Sequence, residues 1–86
     1  MSQYEKLLLS VLRGNQDNNI SFSDLRKLII NLGFYERIKG DHYIYTKKGI
    51  DEILNLQPRM GMAKPYQVKQ IRNVILKYRL GDDINA

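Results

Sequence analysis

The chain has 86 residues, no cysteine, and 14 lysines and arginines against 9 acidic residues, a formal charge of +5. That length suits one domain near the lower limit for a self-supporting core, which excludes a large enclosed substrate cavity and leaves a shallow surface groove as the expected kind of site. Without cysteine there is no disulfide framework, no thiolate nucleophile and none of the common structural zinc sites, as suits a reducing cytosol.

The basic charge falls in two blocks. Residues 59–80 carry six lysines and arginines and no acid, and residues 26–48 carry six against Glu36 and Asp41. Such a distribution fits a polymer of phosphates, an acidic protein partner, or simply a solvated basic surface. The longest apolar runs, Leu7 to Leu9 and Leu28 to Ile30, are far too short for a membrane span. The opening residues lack the basic start and small-residue cleavage site of a secretory signal. The expectation is a soluble, cytoplasmic protein with no membrane partner.

In chain order, Tyr4, Leu7, Leu8, Val11 and Leu12 follow the spacing of one helix face, and Gly14 with Asn15 supplies a stop. A second helix starts at Ser21. Its hydroxyl can cap a helix N–H while Asp24 reaches back, and Ile20 and Leu25 are placed to staple the cap. Leu25, Leu28, Ile29 and Leu32 form its apolar stripe, and Gly33 can end it in the left-handed conformation. Residues 34–39, 42–47 and 53–58 then read as short strands, with Gly40 and Gly49 permitting tight reversals. Met60 and Met62 are expected to tuck against the core from a loop. The last helix begins near Pro65, where a first turn tolerates proline, and carries Val68, Ile71, Ile75 and Tyr78 on one face. Lys69, Arg72 and Lys77 are most simply its wet side. The predicted class is α+β, one domain of order α-α-β-β-β-α, with a three-stranded antiparallel sheet packed by helices on one face and open on the other.

Strand parity places Tyr35, Arg37 and Lys39 on one side of the first strand, and Tyr43 and Tyr45 together on one side of the second. His42, the only histidine, stands beside the Gly40 turn, in a direction that parity leaves undetermined. A neutral imidazole can take or give a proton in cleaving a ribose phosphodiester. It can equally close a turn and do nothing more. Tyr43 and Tyr45 can stack on bases or fill cross-strand pairs. Asp41 and His42 together supply at most two scattered metal ligands, and no Gly-rich phosphate loop or Ser/His/Asp spacing occurs, so no metal or cofactor is expected.

Four segments in order, "ISFSDLRKLIINLGF", "RIKGDHYIYTKKG", "ILNLQP" and "AKPYQVKQIRNVILKY", resemble the HicA toxins of bacterial toxin-antitoxin pairs from about Ile20 to Leu80. The resemblance implies a fold like the double-stranded RNA-binding domain over residues 20–80, with residues 1–14 as an N-terminal extension helix. It also implies a metal-independent endoribonuclease that cuts messenger RNA and halts translation, held in check by a HicB-like antitoxin. The family's catalytic histidine, which follows a strand-opening glycine, corresponds to His42. Candidate contacts to single-stranded RNA are Arg37, Lys39, Gly40, Lys64, Lys69 and Arg72, with Tyr43 and Tyr45 stacking or orienting the substrate. Asp41 departs from the family's usual serine. A carboxylate there either favours the imidazolium or repels a scissile phosphate, which keeps open the alternative of a weak or inactive module that binds RNA or the antitoxin.

Overall fold

The computed structural model describes residues 3–81. The elements are α1 (Gln3–Arg13), a 3-10 turn (Asp17–Asn19), α2 (Phe22–Asn31), β1 (Tyr35–Lys39), β2 (His42–Thr46), β3 (Leu54–Leu56) and α3 (Pro65–Tyr78). The class is α+β with the expected order. β1, β2 and β3 form an antiparallel meander with β2 in the centre.

The helix ends follow from the local sequence. Ser21 Oγ accepts the Asp24 N–H at 3.1 Å, which satisfies one of the first-turn amides that has no intrahelical partner. Gly33 follows α2 at φ +95°, a conformation that a side chain resists. α3 stops at Tyr78 because Arg79 turns left-handed, a little before the apolar pattern runs out.

One core holds the molecule together. Leu25, Leu28 and Ile29 of α2, Val68, Ile71 and Ile75 of α3, and Leu54 and Leu56 of β3 are buried in a single cluster. Leu8 and Val11 of α1 join it, so the extension helix is packed into the same core rather than attached to its outside. Burying each such side chain contributes about 1.5–3 kcal/mol.

Two loop expectations change. Met60 is 94% exposed, at the tip of a narrow turn that pairs Arg59 with Met62, and Met62 is half-buried outside the core cluster. Met60 itself sits at φ 52°, beside Gly61 at φ 78°. The turn geometry thus holds the Met60 side chain out in solvent. The third strand is also shorter than predicted, since only residues 54–56 pair with β2.

Candidate functional site

The β1–β2 hairpin turns on two residues, Gly40 and Asp41. Gly40 takes φ +61° and Asp41 does not take a positive φ, the pattern of a turn that wants glycine at its first central position. This tight turn fixes the register. Lys39 stands opposite His42, Arg37 opposite Ile44, and Tyr35 opposite Thr46. Cross-strand partners share a face, so His42 lies with Tyr35, Arg37 and Lys39 on the side of the sheet away from the helices.

His42 is held at one ring nitrogen. Its Nδ1 lies 3.1 Å from Asn55 Oδ1 of β3, so the neutral ring that suits this bond carries its proton on Nδ1 and presents a lone pair at Nε2. Nε2 is 3.7 Å from Asp41 Oδ1, beyond hydrogen-bond distance. With half of its side chain exposed, the ring is accessible from solvent.

Asp41 is held in turn. Its other oxygen accepts the Gln57 side-chain amide. That amide, opposed by burial and assisted by backbone donation and by the cation of Lys64, keeps the Asp41 carboxyl below its ordinary range. Gln57 is itself anchored: its carbonyl accepts Gln67 Nε2 at 3.1 Å, and Gln67 Oε1 accepts the Lys64 N–H at 3.1 Å. Gln67 is fully buried and both ends of its amide are bonded, so it ties the start of α3 to the segment leaving β3.

The structure therefore brings Arg37, Lys39, Gly40 and His42 together on one hairpin, with Lys64 within electrostatic reach of its turn. Lys69 is exposed on α3. Three candidates fall elsewhere. Tyr43 points to the helix side of the sheet, where its ring meets Phe22 edge-on at 4.8 Å between centroids and the Arg26 guanidinium at 5.4 Å.

Tyr45 is removed from the candidate RNA contacts, because it is completely buried and its hydroxyl donates to Glu36 at 2.7 Å. A base has no route to that ring. Arg72 is removed as well. Its guanidinium makes a two-pronged pair with Asp17 at 3.0–3.2 Å and donates to the Val11 carbonyl at 3.1 Å, which fastens α3 to α1 and the 3-10 turn. Helical spacing alone put Arg72 on the wet side, but α1 covers that flank.

Asn55 and Gln57, which residue type alone does not single out, hold His42 and Asp41 by hydrogen bonds. Alternation around the buried Leu54 and Leu56 sends Asn55 to the His42 face, and this much was legible in "LNLQ". That Asn55 meets His42 depends on the register of β3 on β2, which sets Asn55 opposite Ile44 and diagonal to the histidine.

Chemically, the Nε2 lone pair suits proton abstraction from a hydroxyl, and the protonated ring suits delivery to a leaving oxygen. The open sheet face cannot wrap a small metabolite, whose sites usually bury most of the ligand, but it can receive a stretch of polymer. Among the described residues no group of three or more His, Cys, Asp or Glu side chains is placed to hold a metal ion, and no helix is long and apolar enough to cross a membrane. Comparison of the chain with family models, curated proteins and solved structures gave no match.

Proposed function

We propose that this protein is a metal-independent endoribonuclease toxin of the HicA kind, acting in the cytoplasm on single-stranded messenger RNA and neutralised by a HicB-like antitoxin. The observation that carries this reading is His42: accessible, on the outer sheet face beside Lys39, with Nδ1 committed to Asn55 and Nε2 left for a substrate proton. The helix, three strands and helix after α1, with one sheet face covered, support a fold like the double-stranded RNA-binding domain.

In this reading His42 takes the proton of a ribose 2′-hydroxyl or protonates the departing 5′-oxygen. Arg37, Lys39 and Lys64 hold phosphates on either side of it. The Gly40 turn brings the backbone close. The acidic or complementary face of an antitoxin would dock over the same cations and cover the histidine.

Expression of wild type and His42→Ala in a bacterial host, matched for soluble folded protein, tests it by growth and by primer-extension mapping of RNA ends. Growth arrest with new ends in wild type alone is the expected result. Equal behaviour of the two proteins removes His42 from the chemistry.

One observation favours a second reading, a module that binds RNA or an antitoxin without cutting. Asp41 is pinned by Gln57 with an oxygen 3.7 Å from Nε2, where its charge opposes a scissile phosphate. Tight RNA binding with no cleavage over long incubation, with and without divalent metal, would support it.

A further inference from the structure

A concavity lies at the start of α3. It encloses about 350 Å³ and is lined by Asn18, Arg59, Met62, Lys64, Pro65 and Tyr66, with Ala63 beneath. Its chemistry is segregated. Met62, Ala63 and Pro65 give an apolar floor; Tyr66 is 62% exposed, a high value for a large aromatic ring; Arg59 and Lys64 supply two cations.

Among the described residues neither cation is paired with a carboxylate, in contrast to Arg26, Arg72 and Lys77. The Lys64 ammonium instead lies 5.8 Å from the centre of the Tyr66 ring, so charge and aromatic face are presented together. No acidic residue lines the concavity, whereas the groove between α1 and α2 contains Asp24 among its lysines and suits an anion less well. The concavity is tied to the histidine turn by hydrogen bonds, since Lys64 N–H donates to Gln67, Gln67 to the Gln57 carbonyl, and the Gln57 side chain to Asp41.

We propose that this concavity is a nucleotide subsite for single-stranded RNA. One base stacks on Tyr66 over the Met62 and Pro65 floor, its edge within reach of the Asn18 amide, and the adjoining phosphate is held by Arg59 and Lys64 on the way to His42. The volume sits at the small end of ligand pockets, which fits one nucleotide and not a longer stretch. Every base has a π-face, so Tyr66 supplies affinity and Asn18 supplies preference. The proposal rests on the RNA reading of the His42 face and adds to it a specific place for a neighbouring base.

The test uses the full chain and a 2′-O-methyl RNA hexamer, which lacks the attacking hydroxyl and stays intact during titration. Backbone amide NMR shifts are expected at Asn18, Arg59, Met62 and Tyr66 as well as on the β1–β2 hairpin. Tyr66→Ala is expected to weaken the hexamer about tenfold, the effect of losing one base–aromatic stack. Arg59→Ala is expected to lower the salt slope by about 0.7, the value for one phosphate of a single strand. Both side chains are exposed, so circular dichroism should show the fold intact.

Inorganic phosphate and nucleoside 5′-monophosphates are titrated in parallel. Phosphate producing the same shifts as the hexamer, with Tyr66→Ala silent, would reduce the concavity to an anion site and overturn the proposal. A mononucleotide binding as tightly as the hexamer would point to a free nucleotide and overturn it too. Hexamer binding through Tyr66 in a protein that never generates new RNA ends upholds the subsite while removing the nuclease reading. Cleavage that needs His42 but is indifferent to Tyr66→Ala does the reverse.

Discussion

At the scale of single residues the decisive contact is the one between His42 and Asn55. A side-chain carbonyl opposite Nδ1 selects the neutral tautomer with its proton there, and this chain has one imidazole, so the tautomer can be read without overlap by long-range proton–nitrogen NMR. The protonated nitrogen is expected to be Nδ1 in the wild type, with the preference lost in Asn55→Ala; a wild-type ring protonated at Nε2 would contradict the arrangement. Asp41 gives the second residue-scale prediction. It is exposed, so solvent and salt screen its repulsion of a phosphate and keep it as modest as other surface charge interactions. Asp41→Asn should therefore tighten single-stranded RNA binding by up to about fivefold in a filter-binding or anisotropy titration. Unchanged affinity would place the RNA backbone away from this turn. The glycine before the histidine was legible in the sequence as a turn, but the identity of the group that orients the ring was not, because Asn55 lies thirteen residues away and on another strand.

At the scale of elements, the hairpin is bolted to α2 through Glu36. Its carboxylate accepts Arg26 Nε at 2.6 Å and Nη2 at 2.8 Å, and also the Tyr45 hydroxyl at 2.7 Å. The Arg26 hydrogen bonds, opposed by burial and assisted by Tyr45, lower the Glu36 pKa. Burial and then the Glu36 hydrogen bond raise that of Tyr45. The signs set two limbs of a stability profile. For Glu36 the folded value is the lower one, so its contribution is present above the ordinary carboxylate pKa of about 4.3 and disappears as the pH falls through the folded value. For Tyr45 the folded value is the higher one, so its contribution is complete below about pH 10 and declines as the pH rises beyond it. Urea midpoints across pH should show both limbs, and Glu36→Gln should cost about 1–3 kcal/mol at neutral pH while flattening the acid one. An acid limb that persists in Glu36→Gln would assign it to other carboxylates. Arg72 belongs at this scale too. Arg72→Ala should destabilise by about 1–3 kcal/mol through the lost link to α1, yet leave the salt slope of RNA binding unchanged. A reduced slope would return Arg72 to the binding surface.

At the scale of the whole molecule, the charge is sorted by what the fold consumes. Arg26, Arg72 and Lys77 neutralise Glu36, Asp17 and Glu52 and work as ties between elements. Arg37, Lys39, Arg59 and Lys64 have no carboxylate partner among the described residues, as is true also of Lys27, Lys47, Lys48 and Lys69; Arg37 and Lys39 lie on the hairpin of His42, and Arg59 and Lys64 line the concavity at the start of α3. RNA held at the histidine turn predicts that Lys39→Ala combined with Lys64→Ala lowers the slope of log affinity against log salt by about 1.4, or 0.7 for each phosphate contact on a single strand. A slope unaffected by the pair would mean that these cations are only a solvated surface.

The apolar periodicities by themselves determined the class and order of elements: a period near 3.6 for α1, α2 and α3, a period of two for the strands, and glycines where the chain had to reverse. They also determined that Arg37 and Lys39 share a face, since parity is a local property of an extended chain. Tertiary structure alone decided which face that was, because nothing local says on which side of a sheet the helices will lie. It turned Tyr45 into the core against Glu36, and it closed α1 over Arg72. It also set Asn55 against His42 by the register of β3 on β2. Those outcomes depend on contacts between residues far apart in the chain, and one-dimensional spacing carries no information about them until the core has formed.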